Sequence, residues 1–179
     1  MINKIKENVY SIKSSNFGSI VYLIKLNKKS IIIDTDSIEN KQELIDSLKE
    51  LNLTPKDIHV VILTHNHWDH LENTGIFSNA KVYSNFKKKI NRDSSQTPIK
   101  NIISIEKLNI PKFKIYKTPG HTQSDIIILY KNILFSGDVI FHNGYIGRTD
   151  FQESSPEKMK KSLEFIKKLK YNILCPGHG

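Results

Sequence analysis

Four potential metal ligands lie within six residues of one short segment, His65-Asn66-His67-Trp68-Asp69-His70. The segment follows an apolar run at residues 60–63, so a strand is expected to end in a loop that carries these side chains. Imidazole and carboxylate groups are the donors that divalent metals such as zinc prefer. A single histidine is most often a half-buried polar side chain, but this spacing of three histidines and an aspartate indicates a metal site.

Three further segments of the chain repeat the same chemistry. His121, Asp138 and His178 each follow a glycine directly, and each comes shortly after an apolar stretch. Glycine allows the tight turns that would aim such side chains inward from strand ends. Four separate segments with the same donor types therefore predict one site that is assembled from several strand ends.

The ordered pattern of these residues resembles a known family. The HxHxDH motif at residues 65–70, followed by His121, Asp138 and His178, is similar to that of the metallo-β-lactamase superfamily of metallohydrolases. The resemblance begins at Asp34 and spans nearly the whole chain. It implies an α/β fold, a four-layer αβ/βα sandwich in which two mixed sheets face each other with helices outside. It also places a dinuclear metal site at one edge of that sandwich.

The resemblance further implies which side chains hold two divalent ions, expected to be zinc with iron as the alternative. The expected ligands of the first ion are His65, His67 and His121. The expected ligands of the second ion are Asp69, His70 and His178, and Asp138 bridges the two ions. Asp69 and Asp138 are therefore the predicted catalytic carboxylates, and bound zinc would supply a nucleophilic water at neutral pH.

Two residues outside this set also match the family pattern. Asp34 ends a predicted strand and resembles a supporting carboxylate that orients the ligand loop, although a turn-capping role is the alternative. Arg148 resembles a basic residue of the glyoxalase II-like branch that contacts the carboxylate of a thiol cofactor. A guanidinium group suits that role because it binds a carboxylate through two parallel hydrogen bonds. The alternative for Arg148 is an ion pair with Asp150 or Glu153.

Length and composition are consistent with one globular domain. The chain has 179 residues, enough for one sizeable core, so residues 1–179 are expected to form a single metallo-β-lactamase-like domain. Hydrophobic residues make up 38% and charged residues 25% of the chain, which is typical of globular proteins. No apolar run is long enough for a membrane helix and the first residues lack the apolar core of a signal peptide, so a cytoplasmic location is expected.

The charge of the chain does not favour a nucleic-acid partner, although the formal net charge is +9. Arg92 and Arg148 are the arginines of the chain, and the remaining basic residues are lysines spread along predicted helices and turns. Diffuse lysine is typical of solvated faces, so the expected partner is a small-molecule substrate and not nucleic acid or a membrane.

The coarse pattern of elements agrees with the implied fold. An antiparallel meander is predicted from strands at residues 9–13, 19–26 and 30–34. Helices are predicted at residues 38–52, near 72–77, at 85–90 and from the N-cap Ser155 to residue 170, with a polar connection at 92–98. Further strands are predicted at residues 58–63 and 81–83, and the second sheet is expected to contain strands near 102–105, 113–117, 126–130 and 133–135. A last strand is predicted at residues 171–175.

These features predict a dinuclear metal-dependent hydrolase of a small thioester or ester, similar to hydroxyacylglutathione hydrolase. Glyoxalase II enzymes carry a C-terminal helical domain that contacts glutathione, whereas this sequence stops one residue after His178. A glutathione thioester is therefore not expected as the specific substrate. The half-site that contains His178 is also expected to bind its ion more weakly, because chain termini are poorly ordered unless something ties them down.

Two other activities remain open from the sequence. A mononuclear iron persulfide dioxygenase would need only His65, His121 and Asp138, and these residues are a subset of the predicted ligands. A metal-dependent nuclease ranks third, because the chain lacks room for the inserted domain or RNA-gripping arm of such relatives.

Overall fold

The computed structural model describes residues 1–86, 99 and 101–179, and most of the predicted 85–90 helix and the 92–98 connection lie outside these residues. The first seven strands are β1 Ile2–Lys6, β2 Val9–Ile12, β3 Val21–Leu26, β4 Lys29–Ile33, β5 Ile58–Ile62, β6 Lys81–Ser84 and β7 Ile103–Ser104. The other four are β8 Phe113–Lys117, β9 Ile126–Tyr130, β10 Ile133–Gly137 and β11 Ile173–Pro176. The α-helices are α1 Lys41–Glu50, α2 Trp68–Leu71 and α3 Pro156–Ile166. Within these residues the strands form a seven-stranded sheet in the order β1 to β7 and a four-stranded sheet in the order β11-β10-β9-β8.

The first sheet is mixed. Strands β1 to β4 are antiparallel neighbours, which confirms the predicted meander and adds an unpredicted first strand. Strands β4 to β7 then run parallel to one another. Because the carboxyl ends of parallel strands meet at one edge of a sheet, Asp34 after β4 and the ligand loop after β5 lie at the same edge.

The second sheet is mixed as well, but it lacks one predicted member. Strands β8, β9 and β10 are antiparallel and β11 runs parallel to β10, so Asp138 and His178 follow two neighbouring strand ends. The strand near residues 102–105 is predicted to belong to this sheet, and that prediction is wrong. It is β7, and it extends the parallel part of the first sheet by pairing Tyr83 with Ile103. A short apolar run predicts a strand, but it does not predict the sheet that the strand joins. The pairing depends on which sheet has an unpaired edge close to that strand in the folded chain.

Four layers follow from the alternation of apolar side chains along the strands. Ile31 and Ile33 of β4 lie in a core shared by the two sheets, where they join Ile126 and Phe135 of the second sheet. Ile32 lies on the opposite face of the first sheet, in a cluster that contains two leucines of α1. The outer face of the second sheet packs in the same way against Met159 and Ile166 of α3. The predicted αβ/βα sandwich is thereby confirmed.

The predicted start of α3 agrees with the structure, whereas its predicted end does not. The side chain of Ser155 accepts a hydrogen bond from the backbone N–H of Lys158, and Pro156 occupies the first helical position, as predicted. Helix α3 ends at Ile166, four residues before the expected end. Among the described residues, none of the helices has the length and apolar composition needed to cross a membrane.

Candidate metal centre

The predicted ligands come from strand ends and turns that meet at one edge of the sandwich. His67 lies just before α2, and Asp69 and His70 lie within it, immediately beyond β5. His121 lies in the turn between β8 and β9, Asp138 follows β10 and His178 follows β11. The topology of both sheets places all of these turns on the same side.

All seven predicted ligands are brought together. Their potential ligand atoms form three overlapping groups, and within each group the atoms lie within 4.8 Å of one another. The groups are His65, His67 and His121; His65, His70 and Asp138; and Asp69, His70 and His178. The first group and the third group are two candidate half-sites, called the first and the second half-site below. The group of His65, His70 and Asp138 connects them, because His65 belongs to the first half-site and His70 to the second.

Asp138 faces both half-sites. Its Oδ2 lies 3.6 Å from Nε2 of His121 and 3.4 Å from Nε2 of His178. Its Oδ1 lies 3.3 Å from Nε2 of His70. In the first half-site Nδ1 of His67 is 2.9 Å from Nε2 of His121. Nitrogen atoms of two imidazoles that approach this closely need a proton or a cation between them.

One buried atom tests directly whether this arrangement suits a metal. Nε2 of His65 is buried and makes no hydrogen bond to any residue that the structure describes, whereas Nδ1 of the same ring lies 3.0 Å from Oγ1 of Thr64. Buried polar atoms are normally paired, so an unpaired nitrogen among histidines and carboxylates is the position that a metal would fill. The donor set of imidazoles and carboxylates is also the one that zinc prefers.

The protonation states of two central residues suit a cation as well. Burial, together with the charge of His70, holds the pKa of His65 well below its usual value, so its imidazole is neutral. Burial alone would raise the pKa of Asp138, but His70 and His178 outweigh it and hold that pKa well below the usual value. A neutral imidazole and an ionised carboxylate are the forms that bind metals.

Besides His65, whose Nδ1 contacts Thr64, the other four histidines also use their second ring nitrogen for a support outside the cluster. This pattern is common for metal-ligating histidines, because the outer hydrogen bond fixes the orientation and the tautomer of the ring. The contacts are His70 Nδ1 to Asp34 Oδ2 at 2.8 Å, His121 Nδ1 to Arg148 O at 2.7 Å, His178 Nδ1 to Gly18 O at 3.0 Å and His67 Nε2 to Glu153 Oε1 at 3.0 Å.

Asp34 lies beneath the ligand loop and holds it at two places. Its Oδ1 accepts the backbone N–H of Thr64 at 2.8 Å, and its Oδ2 accepts the Thr64 hydroxyl and Nδ1 of His70, each at 2.8 Å. The backbone of Asp34 has a φ of 57°, in the left-handed region, which ends β4 with a sharp turn. The carboxylate thus joins the start of the loop to its last ligand.

Arg148 makes the ion pair that the sequence left as an alternative, with Asp150 and not with Glu153. Its guanidinium binds the Asp150 carboxylate through two hydrogen bonds of 2.9 and 2.8 Å, and it lies 4.6 Å from the centre of the Phe151 ring. Sequence reasoning missed the contact of Glu153 with His67, and neither spacing nor periodicity connects two residues so far apart in the chain.

A cavity of about 560 Å³ opens above the ligands, and this volume suits a small molecule. Its apolar lining includes Phe17, Trp68, Phe141, Ile146 and Phe151. Arg148 and Glu153 add one basic and one acidic group to the rim. The cavity can therefore receive a substrate with an apolar portion and a charged portion next to the ligand cluster.

Backbone hydrogen bonds hold the segment that carries His178, in addition to the contacts of the His178 ring. The N–H of Gly177 donates to Gly137 O and the N–H of Ile20 donates to Gly177 O, each at 2.7 Å. The His178 ring is also stacked on Phe17 with a centroid distance of 5.5 Å. These contacts tie the segment down without a metal, so the reason for expecting a weaker second half-site does not hold.

Comparison with known proteins assigns the family. The model of the Metallo-beta-lactamase superfamily matches residues 16–178. A probable metallo-hydrolase of Methanocaldococcus jannaschii is 35% identical over 151 residues, which cover 83% of this chain and 71% of that protein. The hydroxyacylglutathione hydrolase of Buchnera aphidicola is 33% identical over 162 residues, which cover 88% of this chain and 61% of that enzyme. A metallo-beta-lactamase family protein from Thermus thermophilus has the same fold, with a TM-score of 0.84 at 16% identity over 98% of this chain and 75% of that one. The chain therefore belongs to the metallo-β-lactamase superfamily.

Proposed function

We propose that this superfamily hydrolase binds two divalent metal ions, zinc in the first instance, and cleaves a small thioester or ester. The observation that carries the proposal is the convergence of seven histidine and aspartate side chains on two half-sites that share Asp138. Five of these side chains line a cavity of small-molecule size, namely His67, Asp69, His121, Asp138 and His178. The hydroxyacylglutathione hydrolase of Buchnera aphidicola adds support for a thioester, because its name describes a hydrolase of that bond class.

Each half-site supplies three side chains around the shared carboxylate. His65, His67 and His121 would hold the first ion, and Asp69, His70 and His178 would hold the second. Asp138 would contribute to both, because its Oδ2 lies near His121 and His178. When bound, zinc ions lower the pKa of a coordinated water to about 7 and polarise a substrate carbonyl.

The carboxylate of Asp69 is the group best placed to orient the attacking water. It lines the cavity, and its Oδ2 lies 3.3 Å from Nε2 of His178. Burial alone would raise the pKa of Asp69, but the hydrogen bond from His178 and the charges of His70 and His178 together outweigh it, so the net shift is downward. Asp69 therefore stays ionised at neutral pH and can accept a hydrogen bond from water.

Substrate selection falls to the rim of the cavity. The aromatic side chains favour an apolar acyl or thiol group, because burial of apolar surface is the main source of affinity in such pockets. Arg148 can bind a carboxylate of the thiol portion once the Asp150 carboxylate releases it, and both partners of that pair are exposed. An exposed ion pair contributes little stability, so exchange for a substrate carboxylate is feasible.

The second half-site favours the hydrolase over the iron dioxygenase. The dioxygenase would use His65, His121 and Asp138 alone, and it would leave Asp69, His70 and His178 as a cluster without a function. The ligand atoms of these three side chains nonetheless lie within 4.8 Å of one another. A nuclease is disfavoured because the cavity suits a small molecule.

Release of thiol from acyl thioesters tests the proposal. The purified protein is loaded with zinc and assayed with S-lactoylglutathione, an acyl-coenzyme A and a short acyl-N-acetylcysteamine. We expect hydrolysis of at least one thioester, abolished in His67→Ala and retained in His59→Ala. His59 is a suitable control because it is an exposed histidine at the start of β5, outside the ligand groups. Hydrolysis of none of the thioesters or matching oxygen esters by the zinc-loaded protein would reject the function.

A further inference from the structure

We propose that Glu153 is a positioning residue that fixes the tautomer and orientation of His67, so that His67 presents Nδ1 to the first metal ion. The inference rests on the proposed two-metal site and adds to it a residue outside the ligand set. Glu153 Oε1 lies 3.0 Å from Nε2 of His67.

His67 is oriented differently from the other four histidines of the cluster. In those four, Nε2 faces the cluster and Nδ1 contacts a support; the supports are Thr64 for His65, Asp34 for His70, Arg148 O for His121 and Gly18 O for His178. In His67 the roles are reversed, because Nδ1 lies 2.9 Å from Nε2 of His121 and Nε2 points to Glu153. The Nε2 atom of His67 therefore points away from the cluster, where Glu153 is its hydrogen-bond acceptor.

The chemistry of the contact selects one tautomer. An ionised carboxylate only accepts hydrogen bonds, so the proton of the neutral imidazole must lie on Nε2. The lone pair on Nδ1 is then free to bind the metal, and the carboxylate raises the basicity of the ring.

The loop that carries Glu153 is itself braced against the centre. The backbone oxygen of Glu153 accepts a hydrogen bond from Gln123 Nε2 at 2.6 Å, and the hydroxyl of Ser154 donates to His121 O at 2.6 Å. The ring of Phe151 meets His67 edge-on at a centroid distance of 5.5 Å. These contacts hold the Glu153 carboxylate beside His67.

Zinc affinity measured by competition with a chromogenic chelator tests this role without any assay of activity. We expect Glu153→Ala to weaken one of the two zinc sites about 10- to 100-fold and to leave the other unchanged. Glu153→Gln should retain most of the affinity, because its amide oxygen still accepts a hydrogen bond. Asp150→Ala is the matched control, since Asp150 is an exposed carboxylate of the same loop whose partner is Arg148.

The ¹⁵N shifts of the His67 ring in the metal-free protein give a second readout. The wild-type protein should show the proton on Nε2, and Glu153→Ala should show a mixture of tautomers. Equal zinc affinity in Glu153→Ala and wild type, or equal weakening in Asp150→Ala, would overturn the role of Glu153. A wild-type protein that binds no zinc would reject the proposed function itself, and the inference with it, before any variant is compared.

Discussion

Oδ2 of Asp34 lies 2.8 Å from Nδ1 of His70, and both side chains are buried. The same carboxylate accepts two hydrogen bonds from Thr64 at the start of the ligand loop. One side chain at the end of β4 therefore fixes both ends of the segment that supplies most of the candidate ligands. This geometry makes the ligand loop part of the folded core, although it lies at the edge of the sandwich.

Replacement of Asp34 by alanine should destabilise the metal-free protein. The change leaves buried donors of Thr64 and His70 without an acceptor, and each such group costs about 1–3 kcal/mol. We expect the free energy of unfolding in urea to fall by about 2 kcal/mol or more. Asp46→Ala, at an exposed position on α1, serves as the control and should leave the unfolding midpoint unchanged. An unchanged midpoint for Asp34→Ala would show that the carboxylate does not support the loop.

Replacement of Gly177 by alanine should displace the candidate ligands Asp138 and His70. The same replacement at Gly179 is the control and should leave them in place. A methyl group at Gly177 would overlap Oδ1 of Asp138 and crowd the His70 ring. A methyl group at Gly179 would meet only the side chain of Ile20, at an ordinary contact distance of 3.7 Å. Zinc titration should therefore show weakened binding in Gly177→Ala and wild-type binding in Gly179→Ala. Wild-type affinity in both variants would mean that Asp138 and His70 are not ligands in this geometry.

Arg148 should act on the substrate and not on the metal. Replacement by lysine removes the two-pronged grip on a carboxylate, so KM for a carboxylate-bearing thioester should rise while zinc content stays constant. Asp150→Ala should lower that KM, because it frees the guanidinium from its present partner. If Arg148→Lys leaves kinetics unchanged and only lowers the Tm, the residue braces its loop and has no role in substrate binding.

The thiol of Cys175 should not react in the folded protein. Burial raises its pKa to about 12, so the reactive thiolate is scarce near neutral pH. We expect no labelling by a disulfide reagent at pH 8 in the native state and one thiol per chain in denaturant. This also means that Cys175 does not contribute to a thiol-release assay. Rapid labelling of the native wild type, absent in Cys175→Ala, would contradict the buried position.

Features that depend on residues close together in the chain, such as turns and helix starts, could be predicted from the sequence. Histidines and glycines beside apolar runs indicate ligand turns at strand ends, and Ser155 with Pro156 marks the start of α3. Strand β1 was missed because an asparagine and a lysine separate its two isoleucines, and its residues become a strand only by pairing with β2. The sheet of β7 and the partner of His67 could not be predicted for the same reason, because both depend on contacts between distant segments.

The amount of metal bound per chain tests the central claim most directly. Protein freed of metal by a chelator is saturated with zinc, passed through a desalting column and measured by elemental analysis, with Asp138→Ala treated in parallel. We predict two zinc ions per chain in the wild type, and a loss of affinity at both sites in the variant because Asp138 faces both half-sites. A single ion per chain at saturation, or two ions held equally well by Asp138→Ala, would contradict a dinuclear centre bridged by this carboxylate.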